Sequence, residues 1–440
     1  MLTKDQFQEL AKKAIGFTTF PECSISLANT EDAFIRFALN GVTTSGFVAN
    51  QSMSISVTKD KQTGSTSVDE FDEKAIREAV RAAEQLSNLS PANPEAVPPL
   101  GPQKYSTADN WVDSTARARN PVLVPHVKAI IDAAKAKGLV AAGYFERNAG
   151  HFAIANKAGN FGFGRYTDSY LSTTVRNPAG TSSGWASHPA VRIEDISGAA
   201  IGQTAVEKCL KWKNPVKLEP GKYTVVLEPT AVGDLLPLMA FSLQARAAEE
   251  GRSFMSKKGG GTLVGEKLFP EFITVRSDPF HKLNPGLPFG NGGLPNAPMT
   301  WIEKGVVKNL FYDRYYAMKA GKEPTPSPSG IMLEGGTQTL DDLIAGVERG
   351  LLVTRFWYIR VVNPQTVQLT GLTRDGLFLI ENGKVTSPVV NFRFNESPVR
   401  LLQNTVAMGG PIRTRGGESG MIAPPLVVKD FTFTSISDAV

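Results

Sequence analysis

The sequence predicts an α+β fold, with an N-terminal helix-and-sheet domain followed by a β-rich C-terminal domain. Three observations carry this expectation. Near the N-terminus, Ser24–Ala28, Ala33–Ala38 and Met53–Thr58 alternate apolar and polar residues between two segments of helical period. Beyond Gly221, short β-type runs outnumber helical ones. Asn382-Gly383 stands between two apolar runs, and both residues tolerate positive φ, which is the requirement of a two-residue hairpin turn.

Residues 1–20 read as an amphipathic helix and residues 72–88 as a second, with Ala75, Ile76, Ala79, Ala82 and Ala83 on one face. Ser90–Tyr105 (SPANPEAVPPLGPQKY) holds five prolines. It can be neither helix interior nor central strand, so it is expected to be an extended connector over 90–105. His126–Gly138 reads as a helix stopped by Gly138, followed by short strands with glycine turns through Trp185 and a further helix within Asp195–Lys213. The break falls near Asn214–Gly221 (NPVKLEPG), dividing the chain into residues 1–215 and 216–440. In the second part, strands are expected at Phe272–Val275, Met299–Glu303, Val306–Asp313, Arg355–Val362, Gly376–Glu381, Lys384–Phe394 and Leu426–Phe433. Helices are expected at Leu340–Arg349 and Ser397–Ala407, and a surface loop or flap at Pro324–Gly330.

Composition limits the function classes. Of 440 residues, 41% are hydrophobic and 24 are Phe, enough for two or three packed cores. The net charge of +5 is spread along the chain with no Lys/Arg run longer than a pair, so direct nucleic-acid binding is not expected. Two cysteines far apart, Cys23 and Cys209, form no disulfide framework and suit a reducing compartment. The absence of a long apolar run argues against a membrane span, and the N-terminal stretch lacks a secretory pattern, so a cytoplasmic location is expected.

Val225–Glu250 (VVLEPTAVGDLLPLMAFSLQARAAEE) reads as a short strand at Tyr223–Leu227, a Pro-containing turn and a helix capped by Asp234, with Pro237 in its first turn. Leu235, Leu238, Met239, Ser242 and Arg246 recur at helical spacing, which by itself describes a core element. The run LEPTAVGDLLPLMAFS resembles the signature helix of the TldD/PmbA family (PmbA/TldA), some members of which carry the name modulator of DNA gyrase. In peptidase-type members an HExxxH motif follows the Gly-x-Leu-Leu approach. Placed on that pattern, Pro237 and Ser242 stand where the two His would be and Leu238 where the Glu would be. None of the three can do the work of imidazole or carboxylate on zinc.

Other segments carry the same resemblance in order: Ser24–Gly46, His151–Gly162, Gly265–Pro279, Trp301–Gly321, Leu340–Trp357 and Phe378–Gly410. Peptidase-type subunits also supply a Cys ligand near the C-terminus. The corresponding Gly416–Phe433 (GGESGMIAPPLVVKDFTF) has none, and its ESGMIAPPLVV is similar to the ending of the TldE (PmbA) branch. Phe289–Pro298 (FGNGGLPNAP) replaces an acidic turn of the catalytic type. The resemblance therefore implies a non-catalytic TldE-like subunit that completes a peptide-holding cavity, with a TldD-type partner supplying zinc and cleaving unfolded peptides. It names no catalytic, cofactor-binding or metal residue in this chain, and leaves open a homodimer when alone.

The residues independently disfavour a metal site. The four His (126, 151, 188 and 281) include no pair at the four-residue spacing of a helix, and Glu146–His151 (ERNAGH) lies in a Gly-rich strand region where a His commonly bonds a backbone carbonyl. Lys257–Lys267 (KKGGGTLVGEK) fails as a phosphate loop, because Glu266 occupies the place of the required Lys. It is a turn or a loop bordering a cleft. Two alternatives remain at this point: an autonomous hydrolase using Ser242 or another hydroxyl, and a non-enzymatic peptide-binding regulator.

Overall fold

Thr3 and Gln6 close a capping box at the start of the chain. Thr3 Oγ1 accepts from the Gln6 amide at 3.3 Å, and Gln6 Oε1 accepts from the Thr3 amide at 2.8 Å. The computed structural model describes residues 1–107, 110–416 and 419–437, and places this first helix, α1 (Lys4–Phe17), on an antiparallel sheet. The sheet comprises β1 (Glu22–Ala38), β2 (Gly41–Lys59), β3 (Gln62–Val68), β4 (Val140–Asn156), β5 (Phe161–Arg176) and β6 (Ser183–Ala190). Their spatial order is β3-β2-β1-β4-β5-β6.

Helices α2 (Glu73–Leu89), α3 (Asp113–Arg117), α4 (Asn120–Lys135) and α5 (Gly198–Lys211) complete this half. Odd-numbered residues of β1 and β4 face the helices: Ile25 and Ala153 pack with Phe7 of α1 and Ile76 of α2, while Ile35 and Phe145 pack with Leu123 of α4 and Ile201 of α5. Strand alternation sends the even-numbered residues, among them Glu146, Asp168 and Tyr170, to the opposite face. That uncovered face meets the second half of the chain.

β1 and β2 are 17 and 19 residues long and continuous, where short strands were expected. Polar Asn29–Asp32 interrupts the apolar alternation of β1, and Thr43–Ser52 of β2 is almost wholly exposed with little core of its own to cover; the hairpin turns at Leu39 and Asn40 (φ 51° and 59°). The connector at 90–105 is free of helix and strand, as expected, and is strapped across both halves. Glu95 pairs with Arg246 through two 2.9 Å bonds, and Tyr105 donates to the Gly293 carbonyl at 2.6 Å.

Residues 221–436 supply fifteen further strands among the described residues, so the second half is β-rich as expected. In chain order these are β7 (Gly221–Leu227), β8 (Val275–Ser277), β9 (Phe289–Gly290), β10 (Leu294–Pro295), β11 (Met299–Glu303), β12 (Val306–Val307), β13 (Ile331–Leu333) and β14 (Arg349–Asn363). β15 (Gln368–Glu381), β16 (Lys384–Pro388), β17 (Phe392–Glu396), β18 (Thr405–Met408), β19 (Ile412–Gly416), β20 (Ser419–Ala423) and β21 (Leu426–Ile436) follow. The helices are α6 (Pro229–Leu235), α7 (Ala245–Glu249), α8 (Arg314–Ala320), α9 (Leu340–Ala345) and α10 (Pro398–Gln403).

One sheet runs β12-β11-β8-β13-β20-β19. In the other, β14-β7-β21-β17-β15 closes on itself because β15 also pairs with β14. The closed sheet surrounds Leu351, Val225, Leu426 and Phe392, and this core continues through α6 into Val275 and Met421 of the open sheet.

The Asn382-Gly383 turn is present: Glu381 pairs with Lys384, and the two turn residues have φ of 50° and 72°. Five expected spans are corrected. The strand expected at Phe272–Val275 begins only at Val275 and runs to Ser277, and the helix expected at Leu340–Arg349 ends at Ala345, with Arg349 already in β14. The strand from Val306 stops at Val307, after which the Lys308 amide bonds the Trp301 carbonyl at 2.8 Å, and Asp313 at the far end of the expected span accepts the Tyr316 amide at 2.7 Å and caps α8. Lys384–Phe394 is divided at Pro388, which cannot continue a central ladder. Ser397–Ala407 is helical only to Gln403, and its end joins β18 against β21.

Cys23 and Cys209 are both free and buried. Burial raises both thiols, Cys23 to about 11. We expect a thiol reagent at pH 8 to titrate neither in the native protein and both in guanidinium. The unfolded Cys23 thiol ionises near 9 and the folded one higher, so its contribution to stability is intact below pH 9 and falls as pH rises towards 11. Prompt modification of native protein at pH 8 would contradict this packing.

Candidate functional site

The segment that carries the family signature begins where β7 leaves the closed sheet. Pro229, with φ fixed near the helical value, opens α6 five residues before Asp234. Asp234 is therefore inside the helix and not its cap, which corrects the expectation. Its Oδ2 accepts the Phe356 amide of β14 at 2.8 Å. The N-cap residue is Glu228, whose carboxylate does not cap: both oxygens take Lys208 Nζ at 2.7 Å, and Thr354 donates at 3.0 Å.

Pro237 has no amide proton to continue α6. The chain tightens to a 3-10 segment over Leu236–Leu243 before α7. The expected single helix is thus three short pieces. Met239 is buried in the main core and Leu238 packs half-buried against it. Ser242 is 4% exposed; its Oγ donates to the Met239 carbonyl at 2.7 Å, and its own carbonyl accepts from Ser253 Oγ at 2.6 Å.

The fold does bring the two implicated segments together. Gly233 of α6 lies against Gly416 of β19, and Thr230 Oγ1 is 3.3 Å from Thr414 Oγ1. Among the described residues, neither segment offers a zinc ligand set. Pro237 and Leu238 have no donor atom, the Ser242 hydroxyl is spent on backbone, and β20 turns Met421, Ile422 and Ala423 inward. Gly417 and Glu418 of the C-terminal signature lie outside the described residues. No cluster of three or more His, Cys, Asp or Glu suited to a metal occurs among the described residues. A catalytic zinc therefore does not fit these positions.

The polar chemistry of this region is instead cationic. β19 crosses the uncovered face of the first sheet, placing Arg413 Nη2 2.6 Å from Asp168 and Arg415 Nη1 2.5 Å from Glu146. Arg415 also lies over Tyr170 at 4.6 Å. Burial raises the Asp168 carboxyl although Arg413 opposes the shift. Burial works against the charged Arg415 too, but its contacts with Glu146 prevail and hold it above the usual range.

Three cavities follow this seam. The largest, about 1320 Å³, is lined by Trp111, Arg165, His188, Arg192, Lys282 and Arg413. A second of about 340 Å³ includes Lys208 and Glu228, and a third of about 330 Å³ includes Tyr170, Trp185, Asp234, Arg355, Trp357 and Arg415. Pro237, Leu238 and Ser242 line none of them.

The histidines are dispersed. His126 Nδ1 accepts from Gly198 N at 3.2 Å, and His281 Nδ1 from Leu283 N at 3.3 Å. His151 Nδ1 donates to the Leu2 carbonyl at 2.8 Å, as its surroundings led us to expect. Glu146 and His151 are an odd number of residues apart on β4 and face opposite sides of the sheet, so they are no ligand pair. His188 borders the two larger of these cavities, its pKa lowered by burial and by Arg413. In Lys257–Lys267 the loop closes on itself through a 2.7 Å Lys257–Glu266 pair, with positive φ at Gly259, Gly260, Gly261 and Gly265. Sequence reasoning did not single out Arg355, Arg413 or Arg415. The alternation in PIRTRGG was the available sign, since two Arg at i and i+2 share one strand face.

Comparison with known proteins agrees with this architecture. The PmbA/TldA metallopeptidase C-terminal domain matches residues 220–435, and the PmbA/TldA metallopeptidase domain 1 matches residues 23–87. The chain is 23% identical to the Metalloprotease TldD homolog of Buchnera aphidicola subsp. Acyrthosiphon pisum over 214 residues, 45% of this chain and 42% of that protein. It is 22% identical to Metalloprotease PmbA of Escherichia coli O157:H7 over 223 residues, 49% and 47% of the two chains. The alignments thus span about half the length of the curated relatives. The fold is similar to the crystal structure of TldE from Thermococcus kodakarensis, with a TM-score of 0.85 at 21% identity, covering 97% of this chain and 99% of the other. Two domains of one family, recognised in order and together covering more than half of the sequence, show that the chain belongs to the PmbA/TldD metallopeptidase family.

Proposed function

We propose that this chain is the non-catalytic, TldE-like subunit of a two-component peptidase, and that a TldD-type subunit supplies the metal and cleaves unfolded peptides. The observation that carries the reading is the chemistry at the signature helix: Pro237, Leu238 and Ser242 stand where imidazole, carboxylate and imidazole would be needed, and Ser242 is bonded to its own turn. The absence of Cys from Gly416–Phe433 supports it. In this reading the chain works in the cytoplasm and its cavities at the β19 seam face the substrate chamber. No helix among the described residues is long and apolar enough to cross a membrane. An autonomous Ser242 hydrolase is disfavoured by the same bond, which leaves the hydroxyl without a base.

The test is elemental analysis of the purified chain together with hydrolysis of an unfolded peptide in added zinc. We expect substoichiometric metal and no cleavage alone, and cleavage when a TldD-type subunit is added. One tightly held metal per chain with chelator-sensitive turnover would make it a peptidase in its own right. Peptide binding without turnover, even with that subunit present, would favour a regulator.

A further inference from the structure

Arg355 lines the 330 Å³ cavity in an arrangement that no packing need explains. Its guanidinium carbon lies 4.4 Å from the Trp185 ring centroid and 4.9 Å from that of Trp357, within cation–π range of both. The side chain is only 15% exposed. Its guanidinium nevertheless makes no hydrogen bond among the described residues, and Nε is wholly buried without a partner. The Asp375 carboxylate is 4.0 Å away, beyond hydrogen-bond reach, and is also approached by Arg176 at 3.9 Å and Arg374 at 3.8 Å. A half-dehydrated cation held in place by two indoles, with its donors unspent, is costly unless something accepts from it.

We propose that this cavity is a carboxylate-recognition pocket in which Arg355 is the anchor and Trp185 and Trp357 are its walls. A planar guanidinium fork matches a planar carboxylate through two parallel bonds, and the flanking rings keep the fork from turning away. Asp234 and the Glu146-paired Arg415 on the same lining favour a monoanion over a dianion such as phosphate, because a second negative charge would face a carboxylate without gaining an unpaired cation. The volume lies at the small end of the range for ligand pockets, about 300–1,000 Å³, and suits one or two residues, not a folded surface. The carboxylate therefore belongs to a peptide, either at its C-terminus or on an Asp or Glu side chain. The identity of the ligand as a peptide rests on the proposed function; the carboxylate chemistry does not.

The experiment is a titration of the full-length chain, followed by tryptophan fluorescence and calorimetry, with four probes. These are N-acetyl-phenylalanine, an unfolded hexapeptide as the free acid, its C-terminal amide, and the amide with one internal Glu. We expect the free acid to bind at least tenfold more tightly than the neutral amide, and Arg355→Gln to remove that difference at an unchanged melting temperature. Trp357→Ala, at a residue 45% exposed, should weaken the acid similarly without unfolding the protein. Tight binding of the Glu-containing amide would assign the pocket to side-chain carboxylates, and weak binding to C-termini. Equal binding of acid and neutral amide, tighter binding of inorganic phosphate, or full affinity in Arg355→Gln would overturn the proposal. Binding of N-acetyl-phenylalanine that depends on Arg355, with no peptide bound and no cleavage conferred by a TldD-type subunit, would retain the pocket and reject the peptidase reading.

Discussion

Gly416→Ala is expected to destabilise the protein by about 3 kcal/mol, at or beyond the upper end of ordinary overpacking. A Cβ at Gly416 would lie 2.0 Å from the Gly233 carbonyl oxygen, 2.1 Å from its carbon and 2.4 Å from the Asp234 nitrogen. All three are backbone atoms, so no side chain can swing aside. The clash is relieved only by parting β19 from α6. The reciprocal change, Gly233→Ala, meets the Thr414 methyl at 3.0 Å and Gly416 N at 3.4 Å, and should cost about 1 kcal/mol, because a methyl can yield. Urea denaturation of the two variants tests the asymmetry. Near-equal midpoints, or Gly416→Ala within about 0.5 kcal/mol of the parent, would mean that α6 and β19 do not touch backbone to backbone. β19 also carries Arg413 and Arg415, so moving it should loosen the seam that forms the cavities.

Local chemistry was legible in the sequence wherever it decided the structure by itself. Asn382-Gly383 demanded its turn, the five-proline connector excluded helix and strand, and the periodic runs of α1 and α2 needed only one apolar face to reveal them. The family signature was legible for the same reason: Gly233, Leu235 and Leu236 are adjacent in sequence. What was not legible depends on distant partners. Asp234 looked like a cap because its acceptor role towards Phe356 is set by a strand more than a hundred residues away. Glu228 could not be read as the partner of Lys208 and Thr354 before β7, α5 and β14 were brought together. Arg355 was invisible for a related reason. Only folding places Trp185 of the first sheet beside Trp357 of the closed one and puts a guanidinium between them.

Arg147 gives the second large effect and bears on how the first half is held. The side chain is 0% exposed, and it serves backbone, not acids. Nε and Nη2 donate to the Ala118 carbonyl at 3.0 and 2.7 Å, and Nη1 donates to the Glu31 carbonyl at 2.8 Å. Burial holds its pKa below the usual arginine value, yet the group stays charged at any pH in which the protein is handled. Arg147→Ala removes three bonds made by a buried cation and opens a cavity, so a loss of about 3–5 kcal/mol is expected. Arg147→Met keeps most of the volume and should recover part of this; Arg147→Lys, able to reach a single carbonyl, should lie closer to the parent. Equal stability for Ala and Met variants would show that packing is irrelevant there and that the hydrogen bonds carry everything. The location sharpens the test. Ala118 ends α3, the short helix that follows Trp111 at the rim of the 1320 Å³ cavity, while Glu31 lies in the middle of β1. Arg147 thus fastens the rim of the 1320 Å³ cavity to a central strand of the sheet. Amide exchange in Arg147→Ala should therefore quicken first at Ala116, whose N–H bonds the Val112 carbonyl within α3, and only later in β1.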